Sequence, residues 1–377
     1  MEQPLDLTPD GRGESSRFAA VSWRDFSAHE AWDHLPARAA EPNPFAERWF
    51  VMSGLEAFDE AGEVMLASLE VDGELVGVLP LARYRSYARY PFPHIATWFH
   101  PNAFCAAPLV AAGHEHAFWR ELLGWADAHP GLALFLHLSH LPEHGPLYAA
   151  LRDVVASQAR AAAIVHRMER AMLASDLSAD DYFAGSLSTK KRKELRRQAR
   201  RLDEEGTVRF DRQTGSDGLD TWTEQFLALE AAGWKGQEGS ALASAPDTIE
   251  FFRKALDGAA RHDRLERLAF YLDDQPIAML ASFITAPGAY SFKTAFDEDY
   301  ARFSPGVLLQ RENLALLDRN EVDWCDSCAA ADHPMIDHIW REKRSIVRVS
   351  LAIGGAPRRL LANLILRAET GAFAKGL

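Results

Sequence analysis

The spacing of apolar residues divides the chain into helices and strands. Between 64 and 84, two alternating apolar runs flank Asp72-Gly73, which predicts a β-hairpin. The same pattern returns around Asp273-Asp274 between 265 and 285. Asn43 followed by proline resembles a helix N-cap with proline in the first turn. Shorter apolar runs predict strands at 132–138, 164–172, 290–295 and 322–327. Helical periodicity appears at 117–128, 142–156, 190–201, 221–232, 248–261 and 305–320.

Both halves of the chain follow one order of elements: helix-rich segments, a hairpin with an acidic turn, a further strand, then a helix and a strand. This repetition indicates an internal duplication with its boundary near 155–165. A chain of 377 residues is also longer than one ordinary domain. We predict a flexible tail at 1–16, an N-terminal domain at 17–160, a C-terminal domain with the active site at 161–350, and a C-terminal extension at 351–377.

Composition narrows the class of protein. Hydrophobic residues make up 47% and charged residues 25%, which is typical of globular domains. We find no signal-peptide pattern at the acidic N-terminus and no apolar run long enough to span a bilayer, so we expect a cytoplasmic protein that can rest on the inner membrane face. The net charge of −13 disfavours general nucleic-acid binding.

The three cysteines predict neither a disulfide framework nor a metal site. Cys325 and Cys328 form a single CxxC, whereas zinc needs about four ligands. We interpret the pair as packing within a strand, with a redox dithiol as the alternative.

One segment opposes the acidic trend. Positions 190–201 hold eight basic residues and one acid, and helical spacing places Lys190, Lys193, Arg197 and Arg200 on one side. This side is either a solvated face or a site for phosphates of a cofactor, a lipid headgroup or an anionic membrane.

Chemistry is expected where a strand at 290–295 leads into a helix at Ser304-Pro305-Gly306. The backbone N–H groups of Val307, Leu308 and Leu309 would be free at the helix start, and a helix N-terminus favours anions. Arg302 adds positive charge, so the segment suits a diphosphate. The alternative is an ordinary helix cap.

Two further segments gather acid–base groups. The stretch 322–344 contains Asp326, His333 and a second histidine, His338, on a predicted helix, and a histidine accepts a proton near neutral pH. A charged loop at 229–242 holds Lys235 and Glu238, and such loops close over substrates.

These stretches carry a resemblance to a known family. Residues 180–344 resemble the cellulose-biosynthesis-type GNAT acyltransferases, a group similar in architecture to the Fem peptidyltransferases. The matching stretches are LSTKKRKELRRQARRL, GWKG…SAL, FKTAFDEDYARFSPGVLL and DSCAAADHPMIDHIWREKR. The first half matches through NPFAERWF, DGELVGVLPL and WFHPNAFCAAPLV. SPGVLL replaces the arginine- and glycine-rich loop of simple GNATs.

The resemblance implies an α/β (α+β) fold of two tandem GNAT-like domains, each with a mixed, largely antiparallel sheet flanked by helices. It also implies acyl-CoA as co-substrate, no metal, and two neighbouring strands, 290–295 and 322–327, that diverge to admit the donor. The donor phosphates would lie at 304–308 with Arg302.

Catalysis in such a fold needs an amine, a base and an oxyanion donor. The candidate bases are His333 and Asp326, with Glu238 as a further acid–base group. Lys293 contacts either phosphate or carbonyl, and Cys328 is a rival as a covalent nucleophile. Residues expected to contact substrate are Phe104, Trp234, Lys235 and Trp324.

The chain is also similar to GNAT-type bacterial ceramide synthases, which implies a long-chain acyl donor and a sphingoid base or related lipid amine as acceptor. The aromatic stretch 84–104 would then line a lipid groove. The alternatives are a Fem-like aminoacyl, peptidyl or exopolysaccharide N-acyltransferase, and a non-catalytic binding protein on the same scaffold.

Overall fold

A computed structural model describes residues 15–87, 89–333, 335–371 and 376–377. The strands are β1 (Ser16–Ser22), β2 (Met65–Val71), β3 (Glu74–Tyr84), β4 (His94–Thr97), β5 (Leu109–Val110), β6 (Phe135–Pro142), β7 (Ala162–Leu173), β8 (Val208–Thr214), β9 (Leu265–Leu272), β10 (Gln275–Thr285), β11 (Gly288–Phe296), β12 (Trp324–Asp326) and β13 (Glu342–Ala352). The helices are α1 (His29–His34), α2 (Arg48–Phe58), α3 (Glu115–Ala128), α4 (Pro146–Ser157), α5 (Ala179–Ser186), α6 (Thr189–Asp203), α7 (Leu219–Ala232), α8 (Trp234–Gln237), α9 (Pro246–Arg261), α10 (Pro305–Asn313) and α11 (Ala356–Thr370). No helix in these ranges is both long and apolar enough to cross a bilayer.

Local sequence signals place several of these elements. Asp72 and Gly73 both have positive φ, as do Asp273 and Asp274, so each predicted hairpin turns through two left-handed residues. The side chain of Asn43 accepts a hydrogen bond from the N–H of Phe45 and caps a 3₁₀ turn that precedes α2. The predicted tail at 1–16 lies outside the described residues except for its last two positions, and Ser16 already begins β1.

One mixed, mostly antiparallel sheet of 13 strands unites the two halves. Its order is β1-β2-β3-β4-β6-β13-β7-β12-β11-β10-β9-β8, with β5 paired to β3. From each edge toward the centre, the sheet has a hairpin followed by a parallel pair. In the first half these are β2–β3 and then β4 with β6, and in the second half β9–β10 and then β11 with β12. The predicted fold class and the repetition of the elements are therefore confirmed.

One central strand crosses between the halves. β7 pairs with β12 inside the second half, whereas β13, which begins in the second half, pairs with β6 of the first. β7 and β13 then pair with each other over ten residue pairs. β13 runs two residues into the predicted C-terminal extension, and α11 follows it.

The apolar core is also shared. Phe50 of the first half lies edge-on to Phe251 and Phe292 of the second, and Phe45 is tilted against Phe292, with ring centroids between 5.3 and 6.1 Å apart. Phe283 stacks on Phe292 at 4.5 Å. This aromatic cluster packs β11 against the first half.

Candidate active site

The sheet opens between β11 and β12. The strands pair only where Gly288–Tyr290 faces Trp324–Asp326, and β11 then continues to Phe296 beyond the last residue of β12. On the other side of β11, Ser291 pairs with Ser282 and Lys293 with Ala281, so Phe292 is an extra residue in a β-bulge. A bulge bends its strand and often lies next to a functional site. These are the two strands predicted to diverge.

The start of α10 lies at the end of this opening. Ser304 adopts a left-handed conformation with φ 57° and ψ 49°, and its carbonyl accepts the N–H groups of Val307 and Leu308. The prediction that these two amides are free is therefore wrong, because the tight first turn uses both. The N–H of Gly306 has no backbone acceptor in the described parts of the chain. An added Cβ at Gly306 would lie 2.9 Å from Sδ of Met335, so the loop after β12 passes directly over this helix start.

Arg302 lies on the surface beside this turn. Its guanidinium pairs with Glu205 at 3.2 Å, and its carbonyl accepts a hydrogen bond from Gln198 of α6. Three arginines, Arg197, Arg201 and Arg302, line one cleft together with Glu204 and Glu205. The basic helix therefore reaches the helix start that was predicted to hold phosphates.

Lys190, Lys193, Arg197 and Arg200 are exposed along α6. Among the ion pairs of the described residues, the only one made by α6 joins Lys191 and Glu194. The predicted basic face is thus a continuous exposed surface that ends at the cleft.

A buried polar cluster lies beside the bulge. Nζ of Lys293 donates to Oδ1 of Asn102 at 2.8 Å and lies 5.3 Å from the ring centre of Phe104. Lys235 donates to Oε1 of Glu230 at 2.7 Å and reaches the carbonyl of Thr294 at 3.4 Å. Burial, reinforced by the charge of Lys235, lowers the pKa of Lys293 to about 8. Lys293 is therefore an ammonium that loses its proton close to neutral pH.

His333 lies on the loop after β12, where its Nδ1 accepts a hydrogen bond from the N–H of Met335 at 3.4 Å. The side chain is half-buried, and burial lowers its pKa, with the charge of Asp337 acting against this and that of Lys235 adding to it. The neutral imidazole therefore predominates at pH 7 and is able to accept a proton. Trp234 stands exposed near Lys235, and its backbone N–H donates to Glu298.

Asp326 is a buried carboxylate bound by two arginines. The carboxylate is completely buried and accepts from Arg170 at 2.6 Å, from Arg344 at 3.0 Å and from the N–H of Cys328 at 2.9 Å. Burial alone would raise the pKa of Asp326, but the two arginines outweigh it and hold the pKa below its usual value. A carboxylate neutralised in this way is a poor proton acceptor, so the geometry disfavours Asp326 as the base.

Other predicted groups lie apart from the cluster. Glu238 is exposed at the end of α8. His338 is exposed in a turn, and the predicted helix around it is absent from the described residues 335–341. Cys325 and Cys328 are buried free thiols, and burial raises the pKa of both, that of Cys325 to about 12. A protonated thiol is a weak nucleophile, which disfavours a covalent intermediate on Cys328.

Trp324 also differs from its predicted role. The ring packs under the guanidinium of Arg344 at 4.3 Å and edge-on to Tyr290 at 5.3 Å, where β12 begins. It pairs with Gly288, five residues before Lys293. Of the four residues expected to contact substrate, the structure gathers Phe104, Trp234 and Lys235.

Sequence reasoning missed Glu230 and Asn102. Glu230 is a lone carboxylate in the apolar run LALEAA of α7, and an acid at a buried position of an amphipathic helix was a usable signal. Asn102 belongs to the first half, and no local pattern connects it with Lys293.

Solved structures share this fold at low sequence identity. FemX aligns with a TM-score of 0.55 and 10% identity over 90% of this chain and 98% of its own. A conserved protein of unknown function from Bacteroides thetaiotaomicron gives 0.54 and 10%, covering 87% and 98%. The C-terminal domain of a putative lysylphosphatidylglycerol synthetase from Agrobacterium fabrum gives 0.51 and 13%, covering 93% and 100%. At these identities the likeness concerns the fold alone.

A sequence match is narrower but more specific. No curated protein matches the sequence. Residues 189–334 match the model of the acetyltransferase (GNAT) domain family, and this range contains α6, the opened strand pair, Lys293 and His333. Residues 189–334 are therefore similar in sequence to GNAT acetyltransferase domains.

Proposed function

We propose that the protein is an acyl-CoA-dependent N-acyltransferase that works in its second half. The observation that carries the proposal is the opening between β11 and β12, with its bulge at Phe292 and the start of α10 beyond it. Backbone groups on the free edge of β11 are suited to bond the amides of a pantetheine arm. Gly306 and the basic cleft at Arg302 are suited to its phosphates.

The cluster next to the bulge supplies the chemistry. An amine nitrogen attacks the thioester carbonyl, the C–N bond forms, the C–S bond breaks, and the nitrogen gives up a proton. We assign that proton to neutral His333. Lys293 donates from its ammonium toward the carbonyl oxygen as negative charge develops there, and Asn102 holds its side chain in position.

For the acceptor we propose a lipid amine such as a sphingoid base, with a long-chain acyl donor. Aromatic side chains near Lys293 support a lipid acceptor. Phe104 and Phe292 flank Lys293, and Trp234 is exposed beside the cluster. Such rings contact an aliphatic chain while leaving the amine near the polar groups.

The direct test is turnover with palmitoyl-CoA and sphinganine, followed by thiol release and by mass spectrometry of the amide. His333→Ala should lower kcat by roughly 10²–10⁴. The matched control is His338→Ala, because His338 is an exposed histidine of the same loop and should leave turnover unchanged. Equal loss in both variants, or no thiol release with any amine offered, would overturn the assignment.

A second candidate is transfer of an aminoacyl group from tRNA, which the exposed basic face of α6 favours. It predicts tRNA binding that weakens steeply with salt and is lost in the variant K190A/K193A/R197A. If tRNA does not bind at 50 mM salt, this candidate is excluded.

A further inference from the structure

The outer face of α11 carries unpartnered leucines. The helix buries Ala362 and Leu366 against the sheet, yet Leu360 is 63% exposed, and Leu361 and Leu364 are each 48% exposed. These three positions are neighbours on one side of the helix. A cluster of exposed leucines marks an interaction surface.

This surface continues beyond the helix. Nine large apolar side chains are exposed among the described residues, and six of them lie on α11 or within three residues of Tyr87 or Ala133, which hydrogen-bond to α11. The six, which we call the α11 face, are Tyr84, Tyr90, Leu132, Leu360, Leu361 and Leu364. Two hydrogen bonds join its parts, from Arg358 to the carbonyl of Ala133 at 3.1 Å and from the hydroxyl of Tyr87 to Glu369 at 2.8 Å.

Arginines outnumber acids around the α11 face, where Asp59 and Glu63 line the same cavity as Arg83 and Arg85, and Asp127 pairs with Arg359. No acidic residue occurs between Glu74 and Glu115, whereas Arg83, Arg85 and Arg89 are exposed in that stretch. α11 adds three arginines and one acid, Glu369, which the hydroxyl of Tyr87 binds. With a net charge of −13 over the whole chain, this local excess of positive charge selects a negatively charged partner.

We propose that the α11 face docks on the surface of an anionic lipid bilayer. Leucines on one side of a helix insert at the boundary of headgroups and acyl chains, tyrosines lie at headgroup level, and arginines bind lipid phosphates. A second copy of the chain would bring the same arginines against each other across a two-fold axis, which opposes dimerisation through this face. The inference goes beyond the acyl transfer proposed above and does not depend on it.

The test is flotation of the full chain with vesicles of phosphatidylcholine alone or with about one third phosphatidylglycerol, in the absence of acyl donor. We expect binding to the anionic vesicles only. L360S/L361S/L364S should weaken binding at least tenfold, as should R85E/R89E. The matched controls are Leu177→Ser, which changes an exposed leucine elsewhere, and K190E/K193E on α6. Both should bind as the wild type does, and circular dichroism checks that every variant is folded.

Three results would overturn the proposal. They are absence of binding to anionic vesicles, unchanged binding in the triple leucine variant, and loss of binding in K190E/K193E but not in R85E/R89E. Light scattering adds a fourth: a wild-type dimer that L360S/L361S/L364S converts to monomer would assign the face to self-association.

Discussion

Replacing Asp326 with asparagine tests whether this carboxylate holds the structure together or takes part in catalysis. Asparagine keeps the shape and one acceptor oxygen but removes the charge. Arg170, whose side chain is 2% exposed, and Arg344 would then face each other without the carboxylate that both contact. Removing one partner of a buried ion pair costs about 3–5 kcal/mol. Each kcal/mol lowers Tm by about 2–4 °C in domains of 150–250 residues and by less in a longer chain, so we expect a decrease of roughly 5–10 °C.

The assay is thermal unfolding followed by circular dichroism at pH 7. Asp323→Asn is the control, because Asp323 is an exposed acid three residues earlier, and we expect its Tm within about 1 °C of wild type. The reasoning is refuted if Asp326→Asn melts within 2 °C of wild type yet loses turnover at least a hundredfold, since that result would make Asp326 the base.

The pH dependence of stability gives a second readout of the same ion pair. The folded-state pKa of Asp326 lies below the unfolded value, so its contribution is complete at neutral pH and disappears as pH falls through the folded-state pKa. The Tm difference between wild type and Asp326→Asn should therefore shrink below about pH 4.

Three further predictions concern the cluster, the helix start and the first half. Lys293→Met should lower kcat, and the wild-type rate should fall above pH 8 as the Lys293 ammonium loses its proton. Lys293→Arg should move that fall to higher pH, and an unmoved pH profile would contradict the role of Lys293 as a donor to the carbonyl oxygen. Gly306→Ala should raise KM for acyl-CoA about tenfold with little change in kcat, because the new Cβ crowds Met335 and the donor site; steady-state kinetics with the donor varied check this. Asn43→Ala should remove the bond to the N–H of Phe45 and lower the free energy of unfolding by about 1 kcal/mol, measured as a lower urea midpoint with unchanged slope.

Local signals were sufficient to predict most elements of the fold. Asp72-Gly73 and Asp273-Asp274 indicated hairpins because few residues tolerate two successive left-handed conformations. The helical periodicity of 248–261 matched α9 to within two residues. The resemblance then indicated that the strands at 290–295 and 322–327 are neighbours in the sheet, which periodicity alone does not give.

Contacts between distant residues were beyond the reach of the sequence. Asp326 looked like an acid–base group because its neighbours in sequence are acids and histidines, but the arginine that binds it most closely lies 156 positions away. Lys293 and Asn102 are separated by 191 positions, and no pattern relates them. Whether the N–H groups of Val307 and Leu308 are free depends on how tight the first turn of α10 is. The sequence SPGVLL leaves this undecided.

The pairing of β13 with β6 of the first half has a practical consequence for work on this protein. A fragment ending near residue 160 would retain β6 without β13, its neighbour in the sheet, and the complementary fragment would keep β13 without its partner on one side. An unpaired central strand exposes backbone groups that readily pair with other chains, so each fragment is expected to aggregate. Denaturation of the whole chain should likewise proceed as one transition, and studies of residues 189–334 will need the whole chain.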